Sequence, residues 1–61
     1  MNNRLRELRG RRSQAEVAVQ IGITQAHYCY IENGARTPSL PVAIRLAKLF
    51  KVKIEDIFIT E

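Results

Sequence analysis

Between residues 25 and 33 the run Gln-Ala-His-Tyr-Cys-Tyr-Ile-Glu-Asn gathers an imidazole, a thiol, two phenols, a carboxylate and two side-chain amides. His27 and Cys29 are the residue types of nucleophilic catalysis, in which an imidazole takes the proton of a thiol beside it. Two positions apart on a helix they face different sides, and nothing in the sequence is placed to orient the imidazole. The chain is therefore not expected to be an enzyme, and no catalytic residue is assigned. One histidine and one cysteine fall short of a zinc set, and a lone cysteine cannot close an internal disulfide. Neither metal nor cofactor is expected.

The same residues suit recognition better. At about 100° per residue, Tyr28 and Ile31 share one side of a helix, with His27 and Glu32 at its edges. That side is expected to meet the core. The opposite side collects Gln25, Ala26, Cys29, Tyr30 and Asn33, which lacks the apolar continuity of a core. It offers an amide able to pair with adenine, a methyl group able to touch thymine, and phenol and imidazole groups able to donate to bases or phosphates. Cys29 is read as a small residue permitting close approach, with a redox switch as the minor alternative.

These side chains need a scaffold that 61 residues can build. So short a chain forms one domain, residues 1–61, and buries only about 60% of its unfolded surface, which makes a deep substrate cleft improbable. With 46% hydrophobic and 26% charged residues it has the balance of a packed domain. No stretch approaches the ~20 apolar residues of a membrane span, and the first twelve residues mix Arg with Leu instead of forming a signal-peptide core. A cytoplasmic location away from membranes is expected. The net charge of +4 is uneven. Arg4, Arg6, Arg9, Arg11 and Arg12 crowd the start while Glu55, Asp56 and Glu61 make the end acidic, so one pole is fit for a polyanion or is simply a solvated basic helix.

The apolar spacing has a period near 3.6 throughout, which predicts an all-α fold. Leu5 and Leu8 mark a first helix ending near Gly10. Ser13 and Glu16 read as a capping box starting the second helix at Gln14, with Val17, Ala18 and Ile21 inward, Val19 outward and Gly22 as the stop. Thr24 caps a third helix, Gln25 to about Asn33, with Ile23 and Tyr28 spaced as a hydrophobic staple. Ser39 caps a fourth, with Pro41 tolerated in its first turn, running to Phe50. A short fifth spans about Ile54 to Phe58, with Glu55 and Asp56 at its positive end. Two helices joined by Gly22-Ile23-Thr24 form a helix-turn-helix unit, although spacing alone also suits a generic helical hairpin.

Taken jointly, Ser13-Gln14, Val17-Ala18, Ile21-Gly22-Ile23-Thr24, Ile31-Glu32-Asn33-Gly34, Pro38-Ser39-Leu40, Leu46-Ala47 and Glu55-Asp56-Ile57-Phe58 resemble the Cro/repressor type of helix-turn-helix domain, from Leu5 to Phe58. The resemblance implies a compact five-helix, lambda-repressor-like DNA-binding domain whose helices two and three form the motif. It places Gln25, Ala26 and Tyr30 against base edges in the major groove, with Thr24 opening that helix and His27 beside the backbone. Gln14 falls where the family anchors a phosphate at a helix amino end, and Asn33 and Arg36 where the following loop nears the sugar-phosphate chain. Arg9 and Glu32 match a salt bridge between helices one and three. The turn from Leu8 to Gln14 is about two residues short of the common pattern, which leaves the contacts of Arg11 and Arg12 open. Tyr28 replaces an aliphatic residue, and Lys53 a Ser or Thr cap.

The implied activity is sequence-specific binding of double-stranded DNA by a transcriptional regulator, with repression as the expected sign. Leu40, Ala43, Ile44, Ala47 and Phe50 suffice for the core face of helix four, leaving Val42, Leu46 and Leu49 as a second stripe. With Phe58 and Ile59 of the tail they are expected to form a homodimer interface, seating two copies about one DNA turn apart on a near-palindromic operator. The main alternative is a protein-interaction module, such as an antitoxin whose stripe covers a protein partner, with DNA binding secondary.

Overall fold

Three hydroxyls start the three longest helices of the computed structural model, which describes residues 2–59 and the side chains of 3–58. Ser13 Oγ accepts from the Glu16 N–H at 3.0 Å, Thr24 Oγ1 from the His27 N–H at 3.1 Å and Ser39 Oγ from the Val42 N–H at 3.4 Å. Each satisfies an amide that the first helical turn leaves without an internal partner. Only the serine half of the expected Ser13/Glu16 capping box forms. The helices are α1 (Leu5–Arg9), α2 (Gln14–Ile21), α3 (Gln25–Glu32), α4 (Leu40–Phe50) and α5 (Ile54–Ile57). The fold is all-α, as the apolar period predicts, with α5 one residue shorter than expected.

Two two-residue arms, β1 (Asn2–Asn3) and β2 (Phe58–Ile59), pair antiparallel with Asn2 opposite Ile59 and Asn3 opposite Phe58. Arms this short leave no alternation to read in sequence. The pairing is extended by the Arg4 N–H donating to the Ile57 carbonyl at 2.8 Å. Asn3 adds three ties: its side-chain oxygen accepts from the Leu5 N–H, and its amide donates to the Ile31 carbonyl at 2.9 Å and to the Glu32 carbonyl at 3.4 Å, joining the N-terminal arm to the end of α3.

One core serves the whole domain. Leu5, Val17, Tyr28, Ile31, Leu46 and Ile57 are sealed from solvent, and Ala18, Ile21, Val42, Ala43, Ala47 and Phe58 complete it. Leu8, Ile23, Leu49, Phe50, Val52 and Ile54 pack on its margin. Val19 stays outside, 78% exposed, as its angular position predicts.

Helix α4 is rotated from expectation. Its inward face is the seam between the two apolar stripes, Val42, Ala43, Leu46 and Ala47, whereas Leu40 is 66% and Ile44 37% exposed. Val42 and Leu46 therefore belong to the core of the single chain instead of forming a free second stripe, and Phe58 is nearly buried with them. Leu49 is half-buried against the same core, and the Ile59 side chain lies outside the described residues. The period of a helix cannot choose between adjoining apolar stripes. Tertiary contact chooses: Arg45 of α4 donates from Nη1 to the Ile21 carbonyl at the end of α2, 3.2 Å away, and this bond helps set which way the helix faces. The Phe58 side chain goes inward while its backbone pairs with Asn3.

Candidate nucleic-acid interface

The turn between α2 and α3 fixes how α3 is offered to solvent. Gly22 has φ 76° and ψ 31°, the left-handed region that a side chain disfavours. Its N–H donates to the Val19 carbonyl and the next N–H, of Ile23, to the Ala18 carbonyl at 3.0 Å, the paired closure of a Schellman motif. A β-carbon at Gly22 would meet nothing nearer than Arg45 Nη1 at 3.6 Å, so the glycine is favoured by the backbone angle and not by space.

From this turn α3 divides as its angular pattern predicts. Tyr28 and Ile31 are fully buried, His27 is half-buried at the edge, and Gln25, Ala26, Tyr30 and Asn33 are exposed, Tyr30 by 49%. Cys29 is half-buried and accepts a 3.4 Å hydrogen bond from the Asn33 side-chain amide. Thr24 is exposed. Its hydroxyl oxygen is engaged as the cap, which leaves the hydroxyl hydrogen free to donate outward. Arg36, exposed in the loop after α3, lies with its guanidinium carbon 5.6 Å from the centre of the Tyr30 ring. Of the residues expected at DNA, all but Gln14 thus lie on α3 or its flanks, and all of these but His27 are exposed.

Gln14 is the exception. It is half-buried, and its side-chain amide donates to Glu32 Oε2 at 2.5 Å. Glu32 is the hub of a polar cluster that the sequence pattern reveals only in part. Arg9 donates from Nε to Glu32 Oε1 at 2.9 Å and from Nη2 to Oε2 at 3.3 Å, the forked geometry of a guanidinium on a carboxylate. The Tyr28 hydroxyl donates to Oε1 at 3.2 Å. The Glu32 side chain is only 5% exposed and that of Arg9 18%. α1, α2 and α3 thus meet at one carboxylate. The family resemblance implies the Arg9–Glu32 bridge. Tyr28 and Glu32 lie four residues apart, a spacing at which helical side chains meet, and this spacing is the sequence signal for their bond.

Electrostatics follow from this packing. Burial alone lifts the Glu32 carboxyl, but hydrogen bonds from Arg9, Gln14 and Tyr28, together with the Arg9 charge, outweigh it and hold the group below its ordinary value. Arg9 is raised, first by its hydrogen bond to Glu32. Tyr28 is raised strongly, by burial and then by the Glu32 charge.

Arg12 has a structural role: its guanidinium carbon sits 5.6 Å from the centre of the Phe50 ring, and its carbonyl accepts from Arg9 Nη1 at 2.9 Å. Arg6 and Arg11 stay exposed. Among the described residues no group of three or more His, Cys, Asp or Glu side chains is arranged to hold a metal ion, and no helix is long and apolar enough to cross a membrane.

Comparison with known proteins agrees with this architecture. A helix-turn-helix family model matches residues 4–57. The chain is 41% identical over 63 aligned positions to an uncharacterized HTH-type transcriptional regulator of Methanocaldococcus jannaschii, covering 100% of this chain and 96% of that protein. It is 38% identical to the uncharacterized HTH-type transcriptional regulator YgzD of Bacillus subtilis, over 95% of this chain and 91% of the relative. A further uncharacterized HTH-type transcriptional regulator, of Archaeoglobus fulgidus, is 38% identical over 97% of this chain and 86% of its own length. The capped α2–turn–α3 unit and the near full-length match together establish that the chain belongs to the Cro/C1-type helix-turn-helix family.

Proposed function

We propose that this protein is a sequence-specific double-stranded DNA-binding transcriptional regulator that uses α3 as its reading helix. One observation carries the reading: α3 buries Tyr28 and Ile31 completely while presenting Gln25, Ala26 and Tyr30 outward from a capped, register-fixed start. A helix held this way brings an amide and a methyl group of its first turn to base edges. Thr24, His27, Asn33 and Arg36 flank it as donors to the backbone. Gln14 retains a second amide hydrogen for a phosphate while the first engages Glu32. The relatives' names as transcriptional regulators support the same reading.

The domain measures 28 × 23 × 22 Å, less than one DNA turn of ~34 Å, so a single copy engages only one half-site. Homodimers on a near-palindromic operator supply the second. The exposed apolar surface suited to this is Leu40 with Ile44, beside a cavity of about 270 Å³ lined by Thr37, Pro38, Leu40, Ala43, Ile54 and Phe58. A knob bordering its own hollow is the self-complementary arrangement that two-fold pairing needs. Occupancy of a promoter by such a dimer, and hence repression, is the simplest mechanism.

The test is selection from random duplex DNA with the purified chain. Enrichment of a two-fold symmetric site, lost when Gln25 and Tyr30 are both changed to Ala in a chain that still folds, supports the proposal. Recovery of no preferred duplex rejects it. Light scattering at micromolar concentration checks the pairing: a dimer that Leu40→Glu converts to a folded monomer supports it, and a wild-type monomer that binds DNA and captures another protein favours the interaction-module reading.

A further inference from the structure

We infer that Tyr30 and Arg36 act as one coupled DNA-contacting element, in which the Tyr30 ring is the positioning surface for the Arg36 guanidinium. The inference rests on the DNA-reading proposal above and deepens it by joining a helix residue to a loop residue.

The backbone arranges the pair. α3 closes with Asn33 as its cap and Gly34 at φ 80°, the left-handed step of a Schellman motif. The Gly34 N–H donates to the Ile31 carbonyl at 3.1 Å and the Ala35 N–H to the Tyr30 carbonyl at 2.9 Å. The Arg36 N–H donates to that same Tyr30 carbonyl at 3.1 Å. Three successive amides therefore fold the loop back over the last turn of the helix, and two of them converge on Tyr30. In an uninterrupted helix, residues six apart point well away from one another at about 100° per residue. The reversal at Gly34 brings them together.

The side chains complete the arrangement. The Arg36 guanidinium carbon lies 5.6 Å from the Tyr30 ring centre, within the range of a cation–π contact. Among the described residues nothing else engages the Arg36 side chain, in contrast to Arg4, Arg9 and Arg45, which hydrogen-bond to carboxylates or carbonyls. Arg36 is thus held by a ring face while its N–H donors stay open. A planar fork restrained from behind is suited to two acceptors in one plane, such as the oxygens of a phosphate or the O6 and N7 of guanine. The ring is also half exposed on the reading face, so desolvation at DNA strengthens the contact.

The test is a double-mutant cycle on the duplex recovered by selection, with circular dichroism confirming that each variant folds. Tyr30→Leu keeps bulk and removes the π face, Tyr30→Phe keeps the ring, and Arg36→Lys keeps the charge and removes the planar fork. We expect Arg36→Lys to weaken binding about three- to thirtyfold in the parent chain and in the Tyr30→Phe variant, and to have little effect in the Tyr30→Leu variant. In the free protein, the Arg36 side-chain protons should show an upfield ring-current shift that Tyr30→Leu abolishes. Additive penalties, or an unshifted Arg36, overturn the coupling while leaving Gln25-based reading intact. A selection that enriches nothing overturns both. A salt slope reduced by about one in Arg36→Ala identifies phosphate as the acceptor, and relaxed preference at one base pair identifies guanine.

Discussion

Gln14 donates its side-chain amide to Glu32, eighteen residues further on, so the first turn of α2 is latched to the last turn of α3 across the motif. The latch adds one hydrogen bond, to a charged and nearly buried acceptor, to the turn and core packing that already set the angle between the two helices. Replacing Gln14 by Ala should cost about 1 kcal/mol, the usual scale of such a bond where water can partly replace it. Gln14→Glu should cost more, about 2–3 kcal/mol, because it sets a second carboxylate against Glu32. Urea unfolding at neutral pH and at pH 4 checks both: the gap between the variants should narrow in acid, and equal stability at neutral pH would discount the latch.

Arg9 supplies the charge that this carboxylate needs. With the Glu32 side chain 5% exposed, removing its cation leaves a desolvated anion, a change that commonly costs about 3 kcal/mol or more. Arg9→Met is therefore expected to be among the most destabilising single changes outside the apolar core, lowering the melting temperature by more than about 10 °C in a domain this small. The double variant Arg9→Met/Glu32→Met, which removes both charges, should recover much of the loss. Thermal denaturation followed at 222 nm reads both. A double variant no better than the single one would show that the charges themselves are not the issue.

The same cluster fixes how stability depends on pH. Glu32 is held below its ordinary 4.5, so its contribution is fully present above that value and fades as pH falls through the folded-state value beneath it. Tyr28 is shifted the other way. Its phenol ionises in the unfolded chain near 10.0 and only at higher pH in the folded one, so stability is intact below 10 and declines as pH rises beyond it. Tyr28→Phe should flatten the alkaline limb and leave most of the acid limb, because Arg9 and Gln14 still hold Glu32. Unfolding free energies from pH 3 to 11 for both proteins provide the comparison. An identical alkaline decline in the two would assign that limb to another group.

What the sequence makes legible is local. Ser13, Thr24 and Ser39 stand at helix starts because a short side-chain acceptor satisfies an amide three residues on, a relation contained within four residues. The division of α3 is legible for the same reason, since Tyr28 and Ile31 are large and apolar while Gln25, Ala26 and Asn33 are not. In α4 almost every candidate is apolar, and periodicity alone puts Leu40 and Ile44 inside and Val42 and Leu46 outside. Contacts between helices, the Arg45 bond to Ile21 among them, decide otherwise. Long-range partners are likewise hidden: Asn3 on the Ile31 carbonyl, Gln14 on Glu32 and the pairing of Phe58 with Asn3 each depend on the assembled fold. The candidate site is therefore readable residue by residue, but not the linkage of Tyr30 to Arg36 or the engagement of Gln14.

The end of α4 exposes a local cost that substitution can remove. Lys51 has φ 58° and ψ 43°, making it the single non-glycine residue with positive φ among those described. It occupies the position that Gly22 fills after α2: its N–H donates to the Lys48 carbonyl and that of Val52 to the Ala47 carbonyl at 3.0 Å. A side chain in this conformation costs roughly 1–2 kcal/mol from the approach of Cβ to the backbone carbonyl, part of which glycine gives back through its freer unfolded chain. Lys51→Gly should therefore stabilise the domain by about 0.5–1 kcal/mol, raising the melting temperature by roughly 2–8 °C. Lys51 is exposed, and its side chain makes no hydrogen bond among the described residues, so the substitution removes little packing. Lys51→Ala separates backbone from charge: it keeps the strained β-carbon and should leave stability near that of the parent. If the alanine variant gains as much as the glycine one, relief of positive charge near Lys48 and Lys53, not of backbone strain, accounts for the gain.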